Sequence, residues 1–223
     1  MAAAAFAPIP GAPVLLLLLC ALCATPAFGW EPASIVPSVG LSWARPLDTA
    51  VHDVYSGGGG VTGGLILPLP APLRIELHGQ WSRMSGSPDP LLAQSAGSRL
   101  TTSPWSLEFS VIPSRGRLRP FILAGSGLVI LRERLTYALY GQEQSVTGKN
   151  VRFAGVAGAG IETRFAPYSL RLTARAYLTG GKREVLRPSY PALSDREASS
   201  ASLFTLGLEV GREFPLHPTT GSR

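Results

Sequence analysis

The chain has 223 residues, enough for one domain with a substantial core, and 45% of them are hydrophobic against 15% charged. That balance excludes an intrinsically disordered chain, which needs few apolar residues and many charges. The net charge of +6 comes from scattered Lys and Arg with no basic run or aromatic-basic cluster, which argues against a nucleic-acid partner and fits an anionic membrane surface.

The first segment has the form of an export signal. An apolar stretch from Val14 to Ala24 is followed by Ala27, Phe28 and Gly29, with small residues at the two cleavage-determining positions. Residues 1–29 are expected to be a cleavable signal peptide cut before Trp30. No Lys or Arg precedes the apolar stretch, which leaves a mis-assigned start or an uncleaved anchor as alternatives. Leu22, directly before Cys23, is too large for the usual lipidation box. Both cysteines, Cys20 and Cys23, fall in this segment, so the mature chain would lack a disulfide and would need another source of stability, such as a closed hydrogen-bonded sheet. After Trp30 no apolar run approaches the ~20 residues of a membrane helix, so any membrane crossing must be made by strands.

From there the chain reads as strands. Residues 34–44 and 59–68 are the first two. Leu73, Ile75, Leu77, Gly79 and Trp81 then alternate with Arg74, Glu76, His78, Gln80 and Ser82, the period-two pattern of a strand with unlike faces. Trp105, Leu107, Phe109 and Val111 alternate with Ser106, Glu108 and Ser110. Two Gly/Ala-rich candidates follow, 119–131 and 150–164. Leu170, Leu172, Ala174, Ala176 and Leu178 oppose Arg171, Thr173, Arg175, Tyr177 and Thr179. Phe204, Leu206, Leu208 and Val210 oppose Thr205, Gly207, Glu209 and Gly211. Short links are expected at 68–72, 113–119 and 166–169, and long loops at 46–57, 83–99, 133–149 and 180–199. Gly57 to Gly60, lacking the Lys-Ser/Thr of a phosphate-cradling loop, reads as a flexible loop end.

Eight strands with alternating short turns and long loops predict an all-β fold, an eight-stranded antiparallel up-and-down transmembrane β-barrel over residues 30–214, with a short tail at 215–223. In hydrocarbon an unpaired backbone polar group costs several kcal/mol, so a spanning sheet must close on itself. The soluble alternative, a sandwich or lipocalin-like barrel, would turn the apolar faces inward. Three features favour apolar faces outward. Those faces carry no charge over most of their length, glycines crowd the polar faces, and Trp43, Trp81 and Trp105 each stand where a strand meets a long loop. With Tyr168 and Phe214 at the opposite ends, they form the expected aromatic girdles. An even strand count puts both termini on the short-turn side, which in an outer membrane is the periplasm.

Arg119 to Leu128, Phe153 to Ile161 and the closing Leu206 to Phe214 resemble the small bacterial outer-membrane β-barrel superfamily, which includes the OmpA-like and OmpX-like eight-stranded barrels. The resemblance covers residues 34–214 and concerns architecture. It implies location in the bacterial cell outer membrane, contact with outer-membrane lipids and lipopolysaccharide, a monomer, and biogenesis through the barrel-assembly machinery, whose recognition signal the last strand ending in Phe214 is similar to. Nine residues follow Phe214, where relatives without an extra domain usually stop.

The polar faces hold the most informative constellation. Arg74, Glu76, Glu108, Glu162, Arg164, Arg171, Arg175 and Glu209, with Arg152, are all expected in the lumen, paired with one another because an isolated buried ion is costly. Arg175 is expected to pair first with Glu209, with Glu76 or Glu108 as alternatives. An interior of eight strands is only wide enough for side chains, so these charges read as a register-fixing network rather than a pore. No catalytic, metal-binding or cofactor-binding residues are assigned and no cofactor is expected. His52-Asp53 lies in a loop without a recognisable nucleophile. The residue two after His78 is Gln80, not the Ser that lipid deacylases of this barrel size carry there. The expected role is structural or surface-interactive, through four loops. The alternative is a membrane-embedded lipid- or peptide-modifying enzyme.

Overall fold

In a computed structural model, described over residues 34–47, 55–70, 72–86, 95–113, 116–139, 142–180 and 202–216, the chain is a closed antiparallel β-barrel. The strands are β1 (Ser34–Pro46), β2 (Gly58–Pro68), β3 (Leu73–Gly86), β4 (Ser95–Val111), β5 (Leu118–Leu139), β6 (Gln142–Phe165), β7 (Tyr168–Thr179) and β8 (Leu203–Arg212). Each pairs with the next, and β8 pairs with β1 to close the ring. A two-residue β9 (Phe214–Pro215) continues β8 past Glu213 in the same register, with Phe214 opposite Ile35 and Pro215 opposite Ser34. Pro215, expected to begin the tail, is therefore part of the wall. Among the described residues no helix is long and apolar enough to cross a membrane.

The register fixes the geometry. Starting at Val36, the directly paired residues are Ile66, Glu76, Glu108, Gly125, Val156, Tyr177 and Leu203, and the circuit returns to β1 at Pro46, ten residues further on. A stagger of about ten residues at about 3.3 Å each, against about eight interstrand steps of about 4.8 Å, tilts the strands by about 41° and leaves about 2.5 Å of axial rise per residue.

Three expected boundaries are corrected. The loop expected at 133–149 is mostly a two-stranded ribbon, because β5 and β6 stay paired from Leu131↔Asn150 out to Leu139↔Gln142. The loop expected at 83–99 contributes its ends to β3 and β4, paired from Arg83↔Thr101 to Gly86↔Ser98. Gly58, expected only in the flexible loop end, joins Gly59 and Gly60 in β2, one residue before the strand expected at 59–68. Only Gly57 has the left-handed backbone (φ 101°) that suits glycine. At Gly58 and Gly60 a β-carbon would run into the β3 backbone at Arg83 and Trp81, so close strand approach accounts for these two. The other two long connections, the export segment and the end of the tail lie outside the described residues, apart from their margins.

The wall has its apolar side out. Val39, Leu41, Leu77, Ile122, Leu172 and Leu208 are exposed, while Arg74, Glu76, Glu108, Arg171 and Arg175 are buried. A soluble barrel has the reverse arrangement.

Candidate functional site

The lumen collects the charged side chains by strand parity. Even-numbered residues of β3, β4 and β6 point inward, as do odd-numbered residues of β7 and β8. All eight residues of the expected network share this interior. At the short-turn end Glu162 on β6 takes both Arg74 of β3, through a short contact and a second bond of 3.1 Å, and Arg164, at 2.8 Å. Arg171 stands 2.9 Å from both oxygens of Glu76, and its Nε is 3.7 Å from Glu162. Higher up, Nε of Arg175 lies 3.1 Å from Glu108, its Nη1 3.3 Å from Glu209 and its Nη2 3.9 Å from Glu76. Arg152 is half-buried at an inward position opposite Val129.

Arg175 thus engages all three carboxylates considered for it, and the shortest contact is to Glu108 across the lumen rather than to Glu209 next door. The reason is register. The residue directly opposite Arg175 on β8 is Thr205, whereas Glu209 stands opposite Arg171. The long arginine side chain therefore reaches further across the narrow interior than to its neighbouring strand. The ion pairs link β3 to β6 and β7, and β4 to β7, which are not adjacent in the wall. They act as struts across the barrel.

Hydroxyl, imidazole and aromatic side chains complete the network. Ser110 donates to Glu76 at 2.6 Å, Ser106 to Glu108 at 2.5 Å and Ser38 to Glu209 at 3.0 Å. His78 is buried between Thr62, at 2.6 Å, and the Tyr177 hydroxyl, at 3.1 Å, and is 3.4 Å from Glu209. Arg171 also lies over the Phe121 ring, 4.6 Å from its centre. Tyr177 and Thr62 share the polar parity in the sequence, but their pairing follows from the stagger, which the sequence does not display.

Above these ion pairs the lumen holds an apolar cluster beside buried Ser82 and Thr102 and the inward-pointing Arg152 and Glu133. Met84, Leu100, Val129, Leu131, Ala154 and Leu203 are buried in one cluster, joined by Tyr55, whose hydroxyl donates to Glu133 at 2.5 Å. Below, a cavity of about 90 Å³ opens at the short-turn end between Arg74, Glu162, Arg164, Ser169 and Glu213. Between the two lie the buried side chains of the ion-pair network. His78, enclosed here, has no contact with the lipid side. His52, Asp53 and His217 lie outside the described residues. No group of three or more potential metal ligands occurs among the described residues.

On the outside, the five girdle aromatics are all exposed, between 40% and 52%. Once the register is corrected for strand tilt, Trp43, Trp81 and Trp105 fall within about 2 Å of one height and Tyr168 and Phe214 about 23 Å below, close to the ~25 Å apolar band of transmembrane barrels. Trp43 meets Phe204 edge-on at 6.5 Å. At the lower belt Arg212 lies 5.9 Å from the Tyr168 ring centre and 5.0 Å from that of Phe214, so its charge sits at the interface.

No protein-family model matches the chain, and no curated protein matches it in sequence. Solved structures do match in shape. A major outer membrane protein from Thermus thermophilus is similar at a TM-score of 0.55 and 10% identity, over 80% of this chain and 99% of that one. The attachment invasion locus protein Ail of Yersinia pestis matches at a TM-score of 0.45 and 13% identity, over 82% of this chain and 100% of that one. The N-terminal β-barrel domain of Pseudomonas aeruginosa OprF matches at 0.40 and 15%, over 82% and 100%. The chain has the fold of the small eight-stranded outer-membrane β-barrels.

Proposed function

We propose that the protein is a non-conducting, monomeric barrel of a bacterial outer membrane whose work is done by the surface at its long-loop end. The observation that carries this reading is the filled lumen: an apolar plug stacked on cross-braced ion pairs, inside a wall whose exposed face is apolar. A barrel closed in this way offers its loops and its flank, rather than a channel, to lipids, lipopolysaccharide and surface partners. In this reading residues 1–29 are removed on export, the barrel-assembly machinery recognises the last strand, and both termini face the periplasm.

Two measurements test it. The full chain, purified and inserted into planar bilayers, is expected to give no conductance steps; a sustained ohmic channel with every insertion would refute the closed lumen. N-terminal sequencing of the protein recovered from the outer-membrane fraction is expected to start near Trp30. Recovery from the inner membrane with Met1 intact would refute the export reading.

A further inference from the structure

The cavity of about 90 Å³ at the short-turn end is lined by groups whose bonding is incomplete. Glu162 is held by Arg74 and by Arg164 Nε. The rest of the Arg164 guanidinium is not so engaged. Its Nη1 stands 3.8 Å from Glu213 Oε2, beyond hydrogen-bonding distance, and 29% of the side chain is exposed. Glu213 Oε1 accepts from Ser34 at 2.8 Å, while Oε2 has no hydrogen-bond donor among the described residues. Ser169 is buried and lines the same cavity, and its hydroxyl has no hydrogen-bond partner among the described residues. Val36 and Ile66, directly paired on β1 and β2 and both buried, add an apolar wall.

We infer that this cavity binds a free α-amino acid with a short side chain, such as alanine. The inference goes beyond the surface role proposed above and concerns the opposite end of the barrel. The unmet groups are a cationic donor, an anionic acceptor and a hydroxyl, all on one cavity. An inorganic anion would satisfy Arg164 but would face Glu213 and Glu162. A bare cation would satisfy Glu213 but would face Arg164 and Arg74. A zwitterion satisfies both. Its carboxylate takes the free N–H groups of Arg164, whose planar fork matches two oxygens at once. Its ammonium donates to Glu213 Oε2, and the Ser169 hydroxyl bonds to either group. Size sets the side chain. A closed cavity of about 150 Å³ holds benzene, which has as many non-hydrogen atoms as alanine. In the smaller space here the methyl group rests on Val36 and Ile66, and the charged groups extend toward the open mouth.

The test titrates the full chain, isotope-labelled and folded in a non-ionic detergent, while its backbone amide chemical shifts are followed. Alanine is expected to shift the amides of Arg164 and Ser169 saturably, with a Kd of about 1 mM, which two to three charge-assisted hydrogen bonds supply. Acetate, methylammonium and norleucine should each bind about tenfold more weakly, since each lacks one charged group or carries a side chain too long for the cavity. Arg164→Gln and Glu213→Gln should each weaken alanine about tenfold, the loss of one charge-assisted hydrogen bond. Ser169→Ala leaves every charge in place and should weaken it about threefold, so it carries the test if the charge variants do not fold. The inference is overturned if alanine moves these amides no more than equal sodium chloride does, which leaves a cavity for water only. It is overturned equally by acetate, methylammonium or norleucine binding as tightly as alanine, or by a folded Ser169→Ala variant that binds alanine unchanged.

Discussion

Arg175 shows how a buried charge is tolerated in this barrel. It meets Glu108, Glu209 and Glu76 from one position on β7, and each carboxylate has a further donor. Removing one partner of a buried pair typically costs about 3–5 kcal/mol, mostly because the other is left uncompensated. Arg175→Met is therefore expected to lower unfolding stability in micelles by that amount, read from the urea midpoint. Adding Glu108→Gln should recover more of the loss than adding Glu209→Gln, since Glu108 makes the shorter contact. The sequence makes the eight network residues legible by parity alone. It could not rank their partners, because the ranking depends on a stagger that only the closed ring defines.

At the scale of the strand, the outward face predicts its own sensitivity to charge. Leu172 on β7 lies about midway in height between the aromatic belts, whereas Phe204 on β8 lies level with the tryptophans. Leu172→Arg is expected to cost about 2–4 kcal/mol and Phe204→Arg about 0–1 kcal/mol, measured by urea titration of the barrel folded into vesicles. Equal costs at the two sites would contradict the placement of the belts. The same physics explains which strands were legible. β3, β7 and β8 divide lipid from lumen along their length, so their alternation is clean. The β5–β6 ribbon extends about 26 Å past Leu131, with water on its flanks, and there Arg132, Glu133 and Arg134 carry charge on both faces. With no difference between the faces, period two vanishes and the segment reads as a loop. β5 misleads further, since Phe121, Leu123, Val129 and Leu131 turn apolar side chains into the lumen. Replacing Leu135–Val146 by Asn-Gly would join the paired residues Arg134 and Thr147 through a two-residue hairpin. Because an isolated two-stranded ribbon is marginal by itself, the unfolding stability read from a urea titration should change by no more than about 1 kcal/mol.

For the molecule as a whole, two dissimilar barriers stand in series along the lumen. The apolar cluster lies at the loop end and the ion-pair struts lie below it. Leu131→Ser combined with Met84→Ser should wet the upper barrier only, so planar bilayer recordings of this variant are expected to stay silent. Conductance from that variant would show that the struts do not close the barrel.

Closure itself sets the order of events in assembly. The partners of β1 are β2, its neighbour in sequence, and β8, whose residues come last, as in Val39 opposite Val210. Until the final strand arrives, one edge of β1 offers a row of unpaired backbone groups to any other chain. Pairing so distant in sequence is also slow to find. The chain must therefore spend its most adhesive moments before its last residues can help it, and a partner that shields the open edge would decide its yield more than the strength of the finished wall.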